Sequence, residues 1–109
     1  MASLPKYVTP EEYLAIDRDS EYKLEYYEGE VIAMSGASRA HNLIVTNFIS
    51  NLDSQLKNHP CEVYPSDMRV RVPKTNRYFY PDVSVVCGEP RFEGDRQDIL
   101  LNPILIVEV

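Results

Sequence analysis

Tryptophan is absent from the chain, and cysteine occurs only twice, at Cys61 and Cys87. The two cysteines make no CxxC pair and no Cys/His cluster, which excludes the cysteine motifs of metal and redox sites. Two free thiols in a cytoplasmic protein are expected, not a disulfide scaffold. Neither thiol stands in a basic context at a helix start, so a cysteine nucleophile has no support. No run approaches the roughly 20 apolar residues of a membrane span. The opening MASLPKYVTPEEYLAI holds no long apolar stretch, so no signal peptide is expected. Internal repeats and low-complexity segments are also missing.

What is present is an ordinary globular composition, 44% hydrophobic and 26% charged over 109 residues, enough for one small domain. Eight tyrosines give the aromatic content a polar character. The formal net charge of −6 disfavours nonspecific phosphate binding by the whole surface. The charge is segregated along the chain, however. Residues 1–30 carry eight acids against Lys6, Arg18 and Lys23, whereas residues 69–77 hold Arg69, Arg71, Lys74 and Arg77 with no acid.

Thr9-Pro10-Glu11-Glu12 predicts a helix start, with Thr9 as N-cap, Pro10 in the first helical position and Glu12 completing a capping box. Residues 22–34 predict a β-hairpin turning at Glu28-Gly29, where Gly29 supplies a positive φ. Residues 39–57 predict a long helix capped by Ser38, with His41, Ile44, Val45, Phe48, Leu52 and Leu56 on its core stripe. Strands are expected over 62–72 and 78–86, separated by the polar turn Lys74-Thr75-Asn76-Arg77. A charged loop fills 91–98. The apolar run Ile104-Leu105-Ile106-Val107 reads as a central strand covered on both faces.

Two carboxylates stand out in this pattern. Asp82 follows Pro81 inside the apolar-aromatic stretch Tyr80–Val86, and Glu108 ends the apolar run. Ionised carboxylates enter such surroundings when paired or bound to metal. If neighbouring strands bring the two together, a divalent cation would relieve their repulsion, and hard oxygen ligands suit Mg²⁺ or Mn²⁺. Taken singly, each has a plainer reading: Asp82 as a turn residue after proline, Glu108 as a charge at a strand end.

The segments Tyr26–Met34, Ser38…His41, Tyr80-Pro81-Asp82-Val83-Ser84-Val85-Val86 and Pro103-Ile104-Leu105-Ile106-Val107-Glu108-Val109 resemble, in order and spacing, the Uma2 family, formerly DUF820. That family is classed with the PD-(D/E)XK, restriction-endonuclease-like nucleases, and the resemblance covers nearly the whole chain. It implies an α/β, restriction-endonuclease-like mixed sheet with an N-terminal β-hairpin and one long helix, a single domain over residues 1–109. The implied core runs αβββαβ, with a metal between its second and third strands. Asp82 then matches the PD aspartate and Glu108 the (D/E) position. The lysine position would be 110, and the C-terminal helix and strands of the family are expected to lie outside these residues.

The remaining candidates keep two readings each. Glu28 is either a further site carboxylate or a hairpin-turn residue. His41 matches the family's histidine and is either a site residue or a core histidine. Arg69, Arg71, Lys74 and Arg77 either contact nucleic-acid phosphates or form a solvated strand face and turn. Tyr78, Phe79 and Tyr80 either stack on bases or pack a sheet. The function expected is a Mg²⁺- or Mn²⁺-dependent endonuclease acting on DNA. The alternative is a catalytically inactive interaction module of the same fold. No membrane association is expected, and a homodimer is, through an open sheet edge.

Overall fold

The computed structural model describes residues 7–109. It contains two compact units, one formed by the N-terminal stretch through Ser35 with Arg71–Phe79, the other by Gly36–Val70 with Tyr80–Val109. The elements in chain order are α1 (Pro10–Asp19), β1 (Leu24–Tyr27), β2 (Glu30–Ala33), α2 (Arg39–Gln55), β3 (Cys61–Pro65), β4 (Arg69–Val72), a 3₁₀ turn (Pro73–Thr75), β5 (Arg77–Phe79), β6 (Val83–Cys87), β7 (Ile99–Leu100) and β8 (Leu105–Val107).

In the first unit, α1 begins with the expected capping box. The Glu12 N–H donates to Thr9 Oγ1 and the Thr9 N–H donates to Glu12 Oε1, each at 3.1 Å. These bonds hold the Glu12 carboxyl below its ordinary range. β1 and β2 form the predicted antiparallel hairpin, Tyr27 opposite Glu30. Both turn residues have positive φ, Glu28 at 47° and Gly29 at 89°, which is the type I′ pattern that follows the strand twist. A Cβ on Gly29 would stand 3.1 Å from the Tyr7 Cα, a tight approach that adds to the preference for glycine set by φ. β5 pairs with β1, Tyr78 opposite Tyr26. The core of this unit is a group of three buried tyrosines. Tyr13 stands 5.2 Å, centroid to centroid, from both Tyr26 and Tyr78. Their hydroxyls do not go unpaired: Tyr13 donates to the Leu24 carbonyl and Tyr26 to the Val8 carbonyl, both at 2.6 Å. The buried Asp17 accepts the Leu24 N–H at 2.9 Å. Tyrosine can stand in for aliphatic packing here because the hydroxyls of Tyr13 and Tyr26 each meet a backbone carbonyl.

In the second unit, β3, β6 and β8 form a three-stranded antiparallel sheet with β6 in the centre. α2 packs against β3 and β6. The order α2, β3, β6, β8 is the α-β-β-β opening expected of a restriction-endonuclease-like core, and the architecture is mixed α/β, since β4 and β7 pair in parallel. β6 is the buried centre, with Val83, Val85 and Val86 inaccessible to solvent. The loop before β8 is fastened by Asn102, whose Oδ1 accepts the Arg91 N–H and whose Nδ2 donates to the Glu89 carbonyl.

Several sequence expectations need correction. The strand expected over 62–72 is two strands, β3 and β4, parted by a turn in which the Met68 N–H bonds the Pro65 carbonyl. The strand expected over 78–86 is likewise broken by Pro81, which cannot donate to a ladder. The inward face of α2 is His41, Val45, Ile49, Leu52 and Leu56, and Ile44 and Phe48 face outward, 45% and 43% exposed. β8 is an edge strand with Leu105 and Ile106 exposed, not a strand covered on both faces. Cys61 and Cys87 are not free thiols. They are register partners on β3 and β6 and form a disulfide. Strand pairing brings together two cysteines that lie 26 residues apart, which spacing alone did not reveal.

Candidate functional site

The candidate site forms at one end of the β6–β8 ladder. Pairing runs Val85 with Leu105, Ser84 with Ile106 and Val83 with Val107. One step further along the same antiparallel register come Asp82 and Glu108. Residues directly opposite on antiparallel strands project to the same face. Both residues lie just outside the paired strands, Asp82 one residue before β6 and Glu108 one residue after β8. Pro81 is buried and Asp82 follows it just before β6 begins, so the aspartate stands at the strand mouth instead of inside the sheet.

α2 brings in the third group. Ser38 caps the helix by accepting the His41 N–H at 3.1 Å, which puts His41 in the first turn. Its Nε2 lies 3.1 Å from Asp82 Oδ1. An ionised carboxylate only accepts, so Nε2 carries the hydrogen. The other oxygen, Oδ2, accepts the Val109 N–H at 2.7 Å. Asp82 is therefore held from two directions, by the helix and by the chain leaving β8. Its side chain is 16% exposed and that of His41 is 25% exposed, so both are shielded yet reachable. Glu108 is more open.

Among the described residues no group of three or more His, Cys, Asp or Glu converges on a common point for a metal. The donor chemistry still fits one class of ion. Mg²⁺ is commonly held by one or two carboxylates and keeps several waters, and the shielded, oriented carboxylate of Asp82 is of that kind. Ser84, on β6, is fully buried, and its hydroxyl has no hydrogen-bond partner among the described residues. Strand period could have pointed to Ser84. Nothing in the sequence could have pointed to the Val109 N–H, which is backbone.

Glu28 belongs to the first unit and sits exposed in the hairpin turn, its N–H directed at the Asn76 carbonyl at 3.4 Å. Arg69 is only 4% exposed, its guanidinium lying 5.4 Å from the Tyr80 ring centre and 3.7 Å from an Asp98 oxygen. Arg71 lies half-buried over Tyr78, and Arg77 lies over Phe79 at 4.0 Å. Lys74 is exposed in the 3₁₀ turn. Tyr78, Phe79 and Tyr80 are all buried, so they pack the fold and offer no open face for stacking. No helix among the described residues is long and apolar enough to cross a membrane.

Comparison with known proteins gives a consistent result. The model of the Uma2 family, described as "Putative restriction endonuclease", matches residues 10–109. An uncharacterized protein of Synechocystis sp., sll1609, is 38% identical over 104 residues, which cover 95% of this chain and 59% of that protein. A second from the same organism, slr1290, is 37% identical over 108 residues, 99% of this chain and 55% of the relative. The chain thus spans little more than half the length of these relatives. No solved structure matches it at a significant level.

Proposed function

Because the chain belongs to the Uma2 family, we propose that it acts as a metal-dependent endonuclease hydrolysing DNA phosphodiester bonds, with Asp82 and Glu108 as the metal carboxylates. The observation that carries this reading is the register. Val83 pairs with Val107, so the next residue along each strand is Asp82 and Glu108, and Asp82 lies against the His41 ring. Restriction-endonuclease-like proteins generally use divalent metals, and Mg²⁺ or Mn²⁺ suits two carboxylates. When bound, such an ion activates water and stabilises charge on the phosphoryl oxygens.

The chain's own residues have definable tasks in this function. Asp82 presents a carboxylate whose direction is fixed by the Val109 N–H and the His41 ring. His41 is a positioning residue for Asp82. Within hydrogen-bond reach of a scissile phosphate it would also serve in proton transfer. Lys74 and Arg77 are exposed and available to contact phosphates, whereas Arg69 and Arg71 would first have to leave their aromatic neighbours. A cytoplasmic location goes with a DNA substrate, and there the Cys61–Cys87 bond would meet a reducing medium.

The test is nicking of supercoiled DNA in Mg²⁺ or Mn²⁺. The wild-type chain should cleave, and Asp82→Ala should abolish cleavage while leaving the circular dichroism spectrum unchanged. Equal cleavage by the Asp82→Ala chain would refute the assignment. The second reading, a noncatalytic interaction module, draws on a separate observation: the apolar surface left open along α2 and at the β8 edge. Absence of cleavage by the wild type in either ion would favour it.

A further inference from the structure

All 17 residues of α2 are half-buried or exposed. Burial of an apolar face is what normally seats a helix, so one with this little depends on how its ends are attached. Both ends are fastened to β6. At the first turn the His41 ring meets Asp82, the residue before β6, at 3.1 Å. Beyond the last turn the chain enters β3 at Cys61, which is bonded to Cys87, the last residue of β6. The Gly88 N–H also donates to the Pro60 carbonyl at 2.7 Å. β6 thus leads from the site aspartate at one end to a covalent clip on the α2–β3 connection at the other.

That clip is open to chemistry. A disulfide exchanges where a thiolate can reach one of its sulfurs. Cys61 and Cys87 are both partly exposed. β3 is an edge strand, so no further strand covers Cys61 among the described residues. Gly88 adjoins open space, where a Cβ would meet nothing within 4 Å. The β3–β6 register, from Cys61 with Cys87 to Pro65 with Val83, keeps the two cysteines opposite each other when they are not bonded, so the bond can form again.

We propose that Cys61–Cys87 is a thiol–disulfide exchange site for a dithiol reductant, and that its redox state sets how firmly α2 holds His41 against Asp82. A thiolate of the reductant attacks one sulfur and the Cys61–Cys87 bond breaks. A mixed disulfide forms, and the other cysteine leaves as a thiolate and takes up a proton. The second thiol of the reductant then attacks the mixed disulfide, frees the remaining cysteine as a thiol and closes the reductant's own disulfide. Two electrons and two protons pass to the chain. α2 is then left with noncovalent attachments alone. The inference concerns the His41–Asp82 contact and is independent of whether the chain cleaves DNA.

The experiment is NMR of the isotope-labelled whole chain in mixtures of oxidised and reduced dithiothreitol, with alkylation and mass spectrometry giving the fraction of free thiol in each. Reduction should move the His41 ring signal towards its position in Asp82→Asn. It should speed amide exchange in α2 about tenfold or more, while exchange in α1 stays unchanged. Both changes should follow the thiol fraction with one midpoint and reverse on reoxidation. The Cys61→Ser, Cys87→Ser double variant should give the reduced pattern and ignore dithiothreitol. A His41 signal that is the same in the oxidised and reduced chains overturns the proposal. So does equal acceleration of exchange in α1 and α2, which would make the pair a staple of the whole fold. A disulfide that yields to dithiothreitol only after the chain is unfolded in urea overturns it as well.

Discussion

Asp82 receives the His41 ring on one carboxylate oxygen at 3.1 Å and the Val109 N–H on the other at 2.7 Å. Helix and sheet thereby fix one side chain from opposite ends of the sequence, 41 and 27 residues away. Removing the helix partner should have a measurable but limited cost, because both groups are partly open to water. His41→Ala should lower stability by about 1 kcal/mol, the usual net value of a hydrogen bond, read as a drop in the urea midpoint at constant slope. Unchanged stability would show that the bond is not maintained in solution.

A cation bound by the folded state should raise its stability by mass action. For a site with a dissociation constant near 1 mM, about 10 mM Mg²⁺ adds about 1.4 kcal/mol. The wild-type melting temperature should therefore rise with Mg²⁺. Neither Asp82→Asn nor Glu108→Gln should show that rise. An equal rise in both variants would place the ion elsewhere. This measurement does not depend on turnover, so it separates metal binding from catalysis.

The Cys61–Cys87 bond closes a long loop between β3 and β6. Chain-entropy reasoning for a separation of 26 residues gives about 3.5 kcal/mol of stabilisation. The Cys61→Ser, Cys87→Ser double variant should be less stable by about that amount in urea unfolding. Mass spectrometry with and without alkylation should find no free thiol in the native chain. Two alkylated cysteines in the oxidised protein would contradict the pairing.

Much of this geometry was legible before any coordinates, and the failures have physical causes. The capping box and the Glu28-Gly29 turn were readable because local chemistry alone decides them. Asp82 follows a proline in an apolar-aromatic stretch, where a carboxylate calls for partners, and its partners are His41 and the Val109 N–H. The face of α2 was misread because Ile44, Val45, Phe48 and Ile49 put apolar residues on two sides, and periodicity cannot tell which side meets the sheet. β8 was read as covered because apolar composition reports what a strand can bury, not what lies against it. The disulfide and the Val109 contact depend on strand register, which a single sequence does not display.

At the start of α1, the reciprocal Thr9–Glu12 bonds satisfy donors that the helix cannot use internally. Thr9→Ala should cost about 1 kcal/mol. Glu12 is fully solvent-exposed, and its carboxyl lies below its ordinary value because of the Thr9 bonds. A depressed acid contributes stability above its unfolded value and loses it as pH falls through the folded one. The stability difference between wild type and Glu12→Gln should therefore shrink as pH drops below the ordinary glutamate range of about 4.5. A difference that stays constant down to acid unfolding would indicate that charge has no part in the cap.

Tyr64 on β3 donates a short hydrogen bond to Glu62. Burial, with the Glu62 carboxylate as the second cause, raises its phenol to about 12 from an ordinary 10.0. Ionising Tyr64 removes that donor and places a second negative charge beside Glu62. In the folded chain the proton is held to higher pH than in the unfolded chain. The stabilisation is thus complete below pH 10 and is lost as pH rises towards 12. Ultraviolet titration of the phenolate band should show one tyrosine ionising late, and Tyr64→Phe should remove that late step. Glu62→Gln should move the step to lower pH without deleting it, because burial remains as the first cause. A late step that survives Tyr64→Phe would belong to another tyrosine and would refute the assignment.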